Sequence, residues 1–262
     1  MGESMRVLDL FSGIGGFSLG LESAGMKTIA FCEIEPFCRK ILDKHWPGVE
    51  IHEDIKKLDG KQYRGAVDVV CGGYPCQPFS VAGKQKGKKD ERHLWPEMFR
   101  IITECAPAWV IAENVVGHVK MGLDDVYSDL ESEGYAVESI IIPACATGKN
   151  HQRERLWILA YSASNGFNGG SEPRGHGQTN ERTAERKAKA KYAERRCGIR
   201  PELGGCSDKE SKGGIKPRIC REYDGLSDRV DRIKSLGNSV VPQIVEKLGK
   251  LIIDFNKSLI EG

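Results

Sequence analysis

Apolar and polar positions follow two periods along the first 161 residues. Met5–Phe11 is a mostly apolar run with the length of a buried strand. Ile14, Phe17 and Leu21 then fall on one helical face. Lys27–Glu33 returns to strand-like patterning. Pro36 opens a helical stretch, where its fixed φ and missing N–H suit a first turn. Val67–Gly72 predicts a strand, Leu94–Cys105 a helix, Trp109–Asn114 a strand and Asp124–Glu133 a helix. Ala136–Pro143 and Arg155–Tyr161 predict two more strands. Such alternation implies an α/β fold, a mostly parallel, doubly wound (Rossmann-like) sheet with helices on both faces. Trp95, Trp109 and Trp157 suit the core or a helix face, and Cys71 and Cys145 suit packing.

The pattern changes after Ser162. Asn165–Lys216 has few large apolar residues, Phe167, Tyr192, Ile199 and Leu203 among them. From Arg174 to Arg200 it carries nine Lys/Arg against three Glu. Glu181–Arg196 has helix-forming composition but no apolar stripe to dock it. The stretch reads either as a solvated linker or as a basic surface for nucleic acid. Order returns with Val241, Ile244, Val245, Leu248, Leu251, Ile252 and Phe255, spaced as one face of a helix. That face needs a partner, and the first domain offers the only large core. The expected layout is a catalytic domain over 1–161, a small, poorly apolar insertion lobe over 162–216, and a segment over 217–262 whose helix returns to the catalytic domain.

Composition narrows the class without naming the chemistry. Hydrophobic content of 39% and charged content of 29% fit a folded soluble protein. A formal net charge of +2 is too small to identify a partner. The nine cysteines are scattered with no C-x-x-C pairs, so neither a metal site nor a disulfide framework is expected. No apolar run reaches the length of a membrane span, and the N-terminal MGESMRVLDLF lacks the layout of a signal peptide. A cytoplasmic monomer with no membrane contact is the expectation.

The candidate chemistry lies at the ends of the predicted strands. Asp9-Leu10-Phe11-Ser12-Gly13-Ile14-Gly15-Gly16 joins the first strand to a helix, where glycines permit a tight turn and close approach to a ligand. Glu33 ends the next strand at the spacing of an acid that binds ribose hydroxyls. Asp54-Ile55 follows where a third strand would end, placed to meet an adenine ring and its amino group. The glycines do not follow the G-x-G-x-x-G pattern that grips a pyrophosphate, which favours S-adenosyl-L-methionine over a dinucleotide. Cys76, in Gly72-Gly73-Tyr74-Pro75-Cys76-Gln77-Pro78-Phe79-Ser80, follows a strand of the same edge, and Glu113 ends the next one. A thiol and a carboxyl across a cleft beside a methyl donor suggest attack on an electron-poor ring carbon, assisted at a ring nitrogen. Lys84, Lys86, Lys88, Lys89 and Arg92 add positive potential in the following loop.

At this point the chain resembles the cytosine carbon-5 DNA methyltransferase family of bacterial and phage type. DLFSGIGGFSLGLE, CEIEP, HEDI, GGYPCQPFS, ENV, QRERLWILA and LGNSVVP resemble its motifs in their order. They cover Met5–Tyr161 and Ser235–Ile252, and GKQKGKKDER resembles the family's catalytic loop. The resemblance implies that Cys76 adds to carbon 6 of cytosine and that Glu113 contacts ring nitrogen 3 and the exocyclic amine. It implies that Arg153 and Arg155 hold the flipped nucleotide. Phe11, Gly13, Gly15, Gly16, Glu33, Asp54, Ile55, Pro75, Asn238 and Ser239 would line the cofactor site. Gln77, Ser80, Lys84 and Arg92 would contact double-stranded DNA. A cognate restriction endonuclease is not required. Carbon 5 is inaccessible within a stack, so the base must be flipped out.

Read without the family, Arg153 and Arg155 equally suit strand-edge charges, and Asn238 a helix N-cap or turn. The chain departs from the family pattern at His151 and Asn150, before the paired arginines. The ninth motif is barely recognisable in Pro217–Asp231, and the target-recognition region is short. A relaxed or short target site, or a lobe that orders on DNA, is expected. The alternatives are a transfer-RNA cytosine-5 methyltransferase and a DNA-binding remnant without activity.

Overall fold

The computed structural model describes residues 4–75, 94–120, 122–147, 153–162 and 229–261. Cys76, Gln77, Ser80, Lys84, Arg92, His151, Asn150 and the expected lobe beyond Ser162 lie outside them. Seven strands form one sheet: β1 (Arg6–Leu10), β2 (Lys27–Cys32), β3 (Glu50–His52), β4 (Val69–Gly72), β5 (Trp109–Val115), β6 (Ala136–Pro143) and β7 (Glu154–Tyr161). Their order is β3-β2-β1-β4-β5-β7-β6. β1 pairs in parallel with β2 and β4, β2 with β3, and β4 with β5. β7 alone is reversed, antiparallel to both β5 and β6. The fold is the Rossmann-like α/β class expected from the alternation.

Central strands of a sheet covered on both faces read as continuous apolar runs. That is why Val7, Leu8 and Leu10 of β1, and Val69, Val70 and Cys71 of β4, have no solvent exposure. Alternate residues feed opposite cores. Leu8, Leu10 and Val70 pack with Met98, Ile101 and Ile102 of α3 (Trp95–Cys105) and Val126 and Leu130 of α4 (Leu123–Ser132). Val7, Val69 and Cys71 pack with Phe17 and Leu21 of α1 (Gly16–Ser23). All three tryptophans expected in the core or on a helix face are buried. Cys71 is buried as expected, but Cys145 is exposed, because it sits in a short helical turn after β6 rather than in the strand.

The chain returns to this second core at its end. Ile244, Val245, Leu248 and Ile252 of a 20-residue helix (Pro242–Glu261) join the β1–α1 cluster. The approach is close: a Cβ on Gly20 of α1 would lie 2.5 Å from the Pro242 carbonyl oxygen and 2.6 Å from Val245 Cβ. Leu251 falls off the docked stripe and is exposed. Phe255 is partly exposed but meets Trp109 and Tyr161 edge-on. Before this helix, numbered α6, comes α5 (Arg229–Asn238), which the sequence pattern did not predict. Its apolar residues are only Val230, Ile233 and Leu236, and Leu236 faces solvent. Asn238 closes α5 instead of capping the start of α6. The remaining helix, α2 (Pro36–His45), begins at Pro36 as expected.

Candidate active site and cofactor cleft

The C-terminal ends of parallel strands share one edge, and ligands of open α/β sheets bind in the crevice outside it. Here that edge frames a cleft of about 790 Å³. Its first arm comes from β1, β2 and β3. β1 runs into Phe11, which holds a left-handed φ of 53°, uncommon for a bulky residue and often a mark of a functional turn. The Glu33 carboxylate, buried at the end of β2, accepts the Gly13 N–H at 2.6 Å and the Glu35 N–H at 2.8 Å. One acid thus fastens two strand-end loops. After β3, Asp54 Oδ1 accepts the Lys56 N–H at 3.0 Å within a short turn, and both Asp54 and Ile55 line the cleft. Ser239 and Asn238, between α5 and α6, line the same cleft.

α1 has no side-chain cap of its own, since Gly15 stands at the N-cap position with a φ of 84°. Asp9 of β1 supplies the missing acceptor: its Oδ2 takes the Ser18 N–H at 3.2 Å and the Ser18 hydroxyl at 2.7 Å. Asp9 is fully buried, and burial pushes its carboxyl up to about 7 against the lowering effect of the Ser18 bonds.

The second arm comes from β4, β5 and β7, and depends on the one reversed strand. Running antiparallel, β7 brings its start, not its end, to the edge that frames the cleft. Glu113 of β5 lies opposite Trp157, and Val115 opposite Arg155. Directly opposed residues share a face, as do residues two apart on a strand. Glu113, Trp157, Arg155 and the preceding Arg153 therefore converge. Arg155 Nε sits 2.9 Å from Glu113 Oε1. Burial pushes the Glu113 carboxyl up to about 7, opposed by the charges of Arg155 and Arg153. Burial and the neighbouring Arg155 charge lower the basicity of Arg153, and Glu113 opposes them. A carboxyl poised near neutrality between two cations can donate or accept a proton at physiological pH.

The structure gathers Phe11, Gly13, Gly16, Glu33, Asp54, Ile55, Pro75, Glu113, Arg153, Arg155, Asn238 and Ser239 around this cleft. Gly15 is not among the lining residues. A Cβ there would lie 2.5 Å from the Trp46 ring, so Gly15 faces α2 and serves the turn. Several lining residues were given no role in the sequence reading: Ile34, Phe37, Asp231 and Ser235. Tyr74 and His118 were also missed. Both are buried, with Tyr74 Oη 2.8 Å from His118 Nε2, and Asn114 Nδ2 donates to the Tyr74 carbonyl at 3.4 Å. These bonds join the loop after β4 to the end of β5 and the segment that follows it. Only the tertiary fold pairs them.

The chain is 33% identical to the type II methyltransferase M.HgiBI of Herpetosiphon aurantiacus over 176 residues, 65% of this chain and 40% of that protein. It is 38% identical to the type II methyltransferase M.Eco47II of Escherichia coli over 161 residues, 59% of this chain and 39% of that protein. The chain thus spans about two fifths of the length of these relatives. The crystal structure of the S. pombe Dnmt2 methyltransferase superposes with a TM-score of 0.51 at 25% identity, covering 64% of this chain and 53% of that one. Residues 5–210, more than half of the chain, match the family model of C-5 cytosine-specific DNA methylases. The chain belongs to the C-5 cytosine-specific DNA methylase family.

Proposed function

We propose that the protein is a DNA (cytosine-5-)-methyltransferase that uses S-adenosyl-L-methionine. The observation that carries the reading is the buried Glu113 carboxyl, held near neutrality beside Arg155 at one end of a cleft whose other end presents Glu33 and Asp54. The chemistry of the cleft suits the cofactor. Phe11 and Ile55 offer apolar contact for an adenine, Asp54 an acceptor for its amine, and Glu33 an acceptor for ribose hydroxyls. S-adenosyl-L-methionine, when bound, supplies an electrophilic methyl group on a sulfonium.

The chain's own residues make cytosine reactive toward it. Cys76 follows directly on Pro75, a lining residue, and its thiolate adds to carbon 6 of the flipped base. Ring nitrogen 3 gains electron density as that bond forms, and protonated Glu113 donates to it. Arg155 and Arg153 hold the carbonyl oxygen and the nucleotide. Carbon 5, now nucleophilic, takes the methyl. Loss of the carbon-5 proton to water then expels the thiolate, and nitrogen 3 returns its proton to the Glu113 carboxylate, which restores the ring. Gln77, Ser80, Lys84 and Arg92 meet the DNA. A thiolate nucleophile and a near-neutral acid divide the two charge changes between them.

The test is methyl transfer from labelled cofactor to DNA, read together with bisulfite sequencing. Label on DNA cytosine and none after Cys76→Ala is the expected result. Substrate containing 5-fluorocytosine should trap the enzyme covalently, because fluorine replaces the proton that elimination removes. Label confined to RNA, or full activity in Cys76→Ala, overturns the reading.

A further inference from the structure

We propose that Arg100 of α3 is the positioning residue that sets adenine recognition, by holding the Asp54–Leu58 turn from outside the cleft; this rests on the cofactor reading above. The turn is closed internally, with the Lys57 and Leu58 amides both donating to the Asp54 carbonyl at 3.0 and 3.1 Å. Such a turn fixes its own shape but not its place in the fold. Arg100 supplies the place. Its Nη2 donates to the Ile55 carbonyl at 2.6 Å and its Nη1 to the Leu58 carbonyl at 3.0 Å. One guanidinium thus grips both ends of the turn.

The guanidinium is itself fixed. Nε bonds Glu97 Oε2 at 2.9 Å, and Nη1 bonds the Glu104 carboxylate at 3.0 Å. Glu104 Oε2 also accepts the Gly60 N–H at 2.7 Å, and Arg64 donates to the Glu104 and Thr103 carbonyls at 3.0 Å each. The chain from Asp54 to Arg64 is therefore stitched to α3, whose Met98, Ile101, Ile102 and Cys105 are buried in the core. Backbone carbonyls that accept from a cation are drawn to a fixed point, and the amides beside them turn with them. The Asp54 carboxylate and the Ile55 side chain, which face the cleft, inherit that position. Arg100 does not line the cleft. Lysine keeps the charge but has no planar fork to hold two carbonyls and two carboxylates at once.

The measurement is calorimetric titration of purified protein with S-adenosylhomocysteine and with its 6-oxo (hypoxanthine) analogue, which lacks the adenine amine. Wild type should prefer the adenine ligand. Arg100→Lys and Arg100→Met should each weaken it by about tenfold, the worth of one charge-assisted hydrogen bond, and shrink the adenine preference. In an Asp54→Asn background, Arg100→Lys should cost no further preference, because the acceptor it positions is already gone. General loss of packing would not erase a ratio between two ligands of one shape. Variants with unchanged affinity and unchanged preference overturn the proposal. If both variants lose their cooperative melt, hydrogen exchange on wild type decides. Ligand should then protect the Lys56, Lys57, Leu58 and Gly60 amides, and unaltered exchange there overturns the proposal. Wild type that binds neither compound sinks the cofactor reading itself, a separate result.

Discussion

Glu33 and Glu113 both end strands of the same sheet, both are more than nine-tenths buried, and both line one cleft. Their partners differ in kind. Glu33 accepts two backbone amides from two loops, so its role as an acceptor is built into the fold of the first arm. Glu113 answers instead to the side chains of Arg155 and Arg153. Backbone amides fix an acid without giving it alternatives. Side-chain cations across a reversed strand leave it able to change protonation when a substrate displaces them. On the proposed reading, the first arm serves binding and the second serves proton movement.

Removing the proton should do the most damage to the second arm alone. Glu113→Gln should lower the rate of methyl transfer by about 10²–10⁴, the range typical of a positioned general acid. Cofactor affinity should stay within about threefold, since the first arm is intact. Titration of cofactor against this variant checks it, and a large loss of binding would mean the arms are not separable. The pH dependence follows from the sign of the shift. The carboxyl is protonated below about 7, so transfer that needs the donor should fall as pH rises through that value. The Gln variant should lack that limb of the rate profile.

The first arm is closed from outside by α6, and the seat of that helix is its weak point. Gly20→Ala would drive a methyl group into the Pro242 carbonyl and Val245, neither of which is a flexible side-chain tip. Overpacking of this kind costs about 1–3 kcal/mol, which chemical denaturation can measure. Cofactor binding should weaken with it, while the covalent trap at saturating cofactor should still form. Unchanged stability would show that α6 does not press on α1 so closely. A smaller effect is expected from Glu33→Gln, which keeps one acceptor and loses the other. Cofactor affinity should drop about tenfold with little change in transfer rate at saturation. A rate loss equal to that of Glu113→Gln would erase the distinction drawn between the two acids.

How much of this was legible beforehand follows the same division. β1, β4 and β5 announced themselves as apolar runs because both their faces are covered. The docked stripe of α6 was visible in its spacing. Phe11, Glu33, Asp54 and Glu113 were found because strand ends in a parallel sheet share an edge, so local reading suffices. α5 escaped because its composition is polar and its helix depends on context. Gly15, whose missing side chain faces Trp46, could not be told from Gly13 and Gly16 because a glycine needed for a turn and one needed for a ligand look alike in one dimension. Asp9 and Tyr74 lie within the quoted motifs but, like His118 and Arg100, had no role legible in the sequence. Their partners are 9, 44, 44 and up to 45 residues away, and only the folded sheet brings them together.

Asp9 gives the mildest test, and it concerns stability rather than chemistry. Its carboxyl lies between α1 and β4, with Ser18 on one side and the Cys71 thiol beside it. Folding raises it from an ordinary 3.8 to about 7, so the folded protein binds a proton that the unfolded chain releases. Stability then contains a contribution that is complete below about pH 4 and is lost as pH rises through about 7. Glu113, raised in the same direction from 4.5, adds a slope of the same sign. Asp9→Asn keeps an acceptor for Ser18 and cannot ionise. Its melting temperature should fall less steeply than that of wild type between pH 4 and 8, with Glu113 accounting for the remaining slope. The double variant with Glu113→Gln should be nearly flat across that range. Equal slopes in wild type and Asp9→Asn would mean that Asp9 ionises in the folded protein as readily as in the unfolded chain. The cap on α1 would then be a fixed hydrogen bond with no part in how the protein responds to acid.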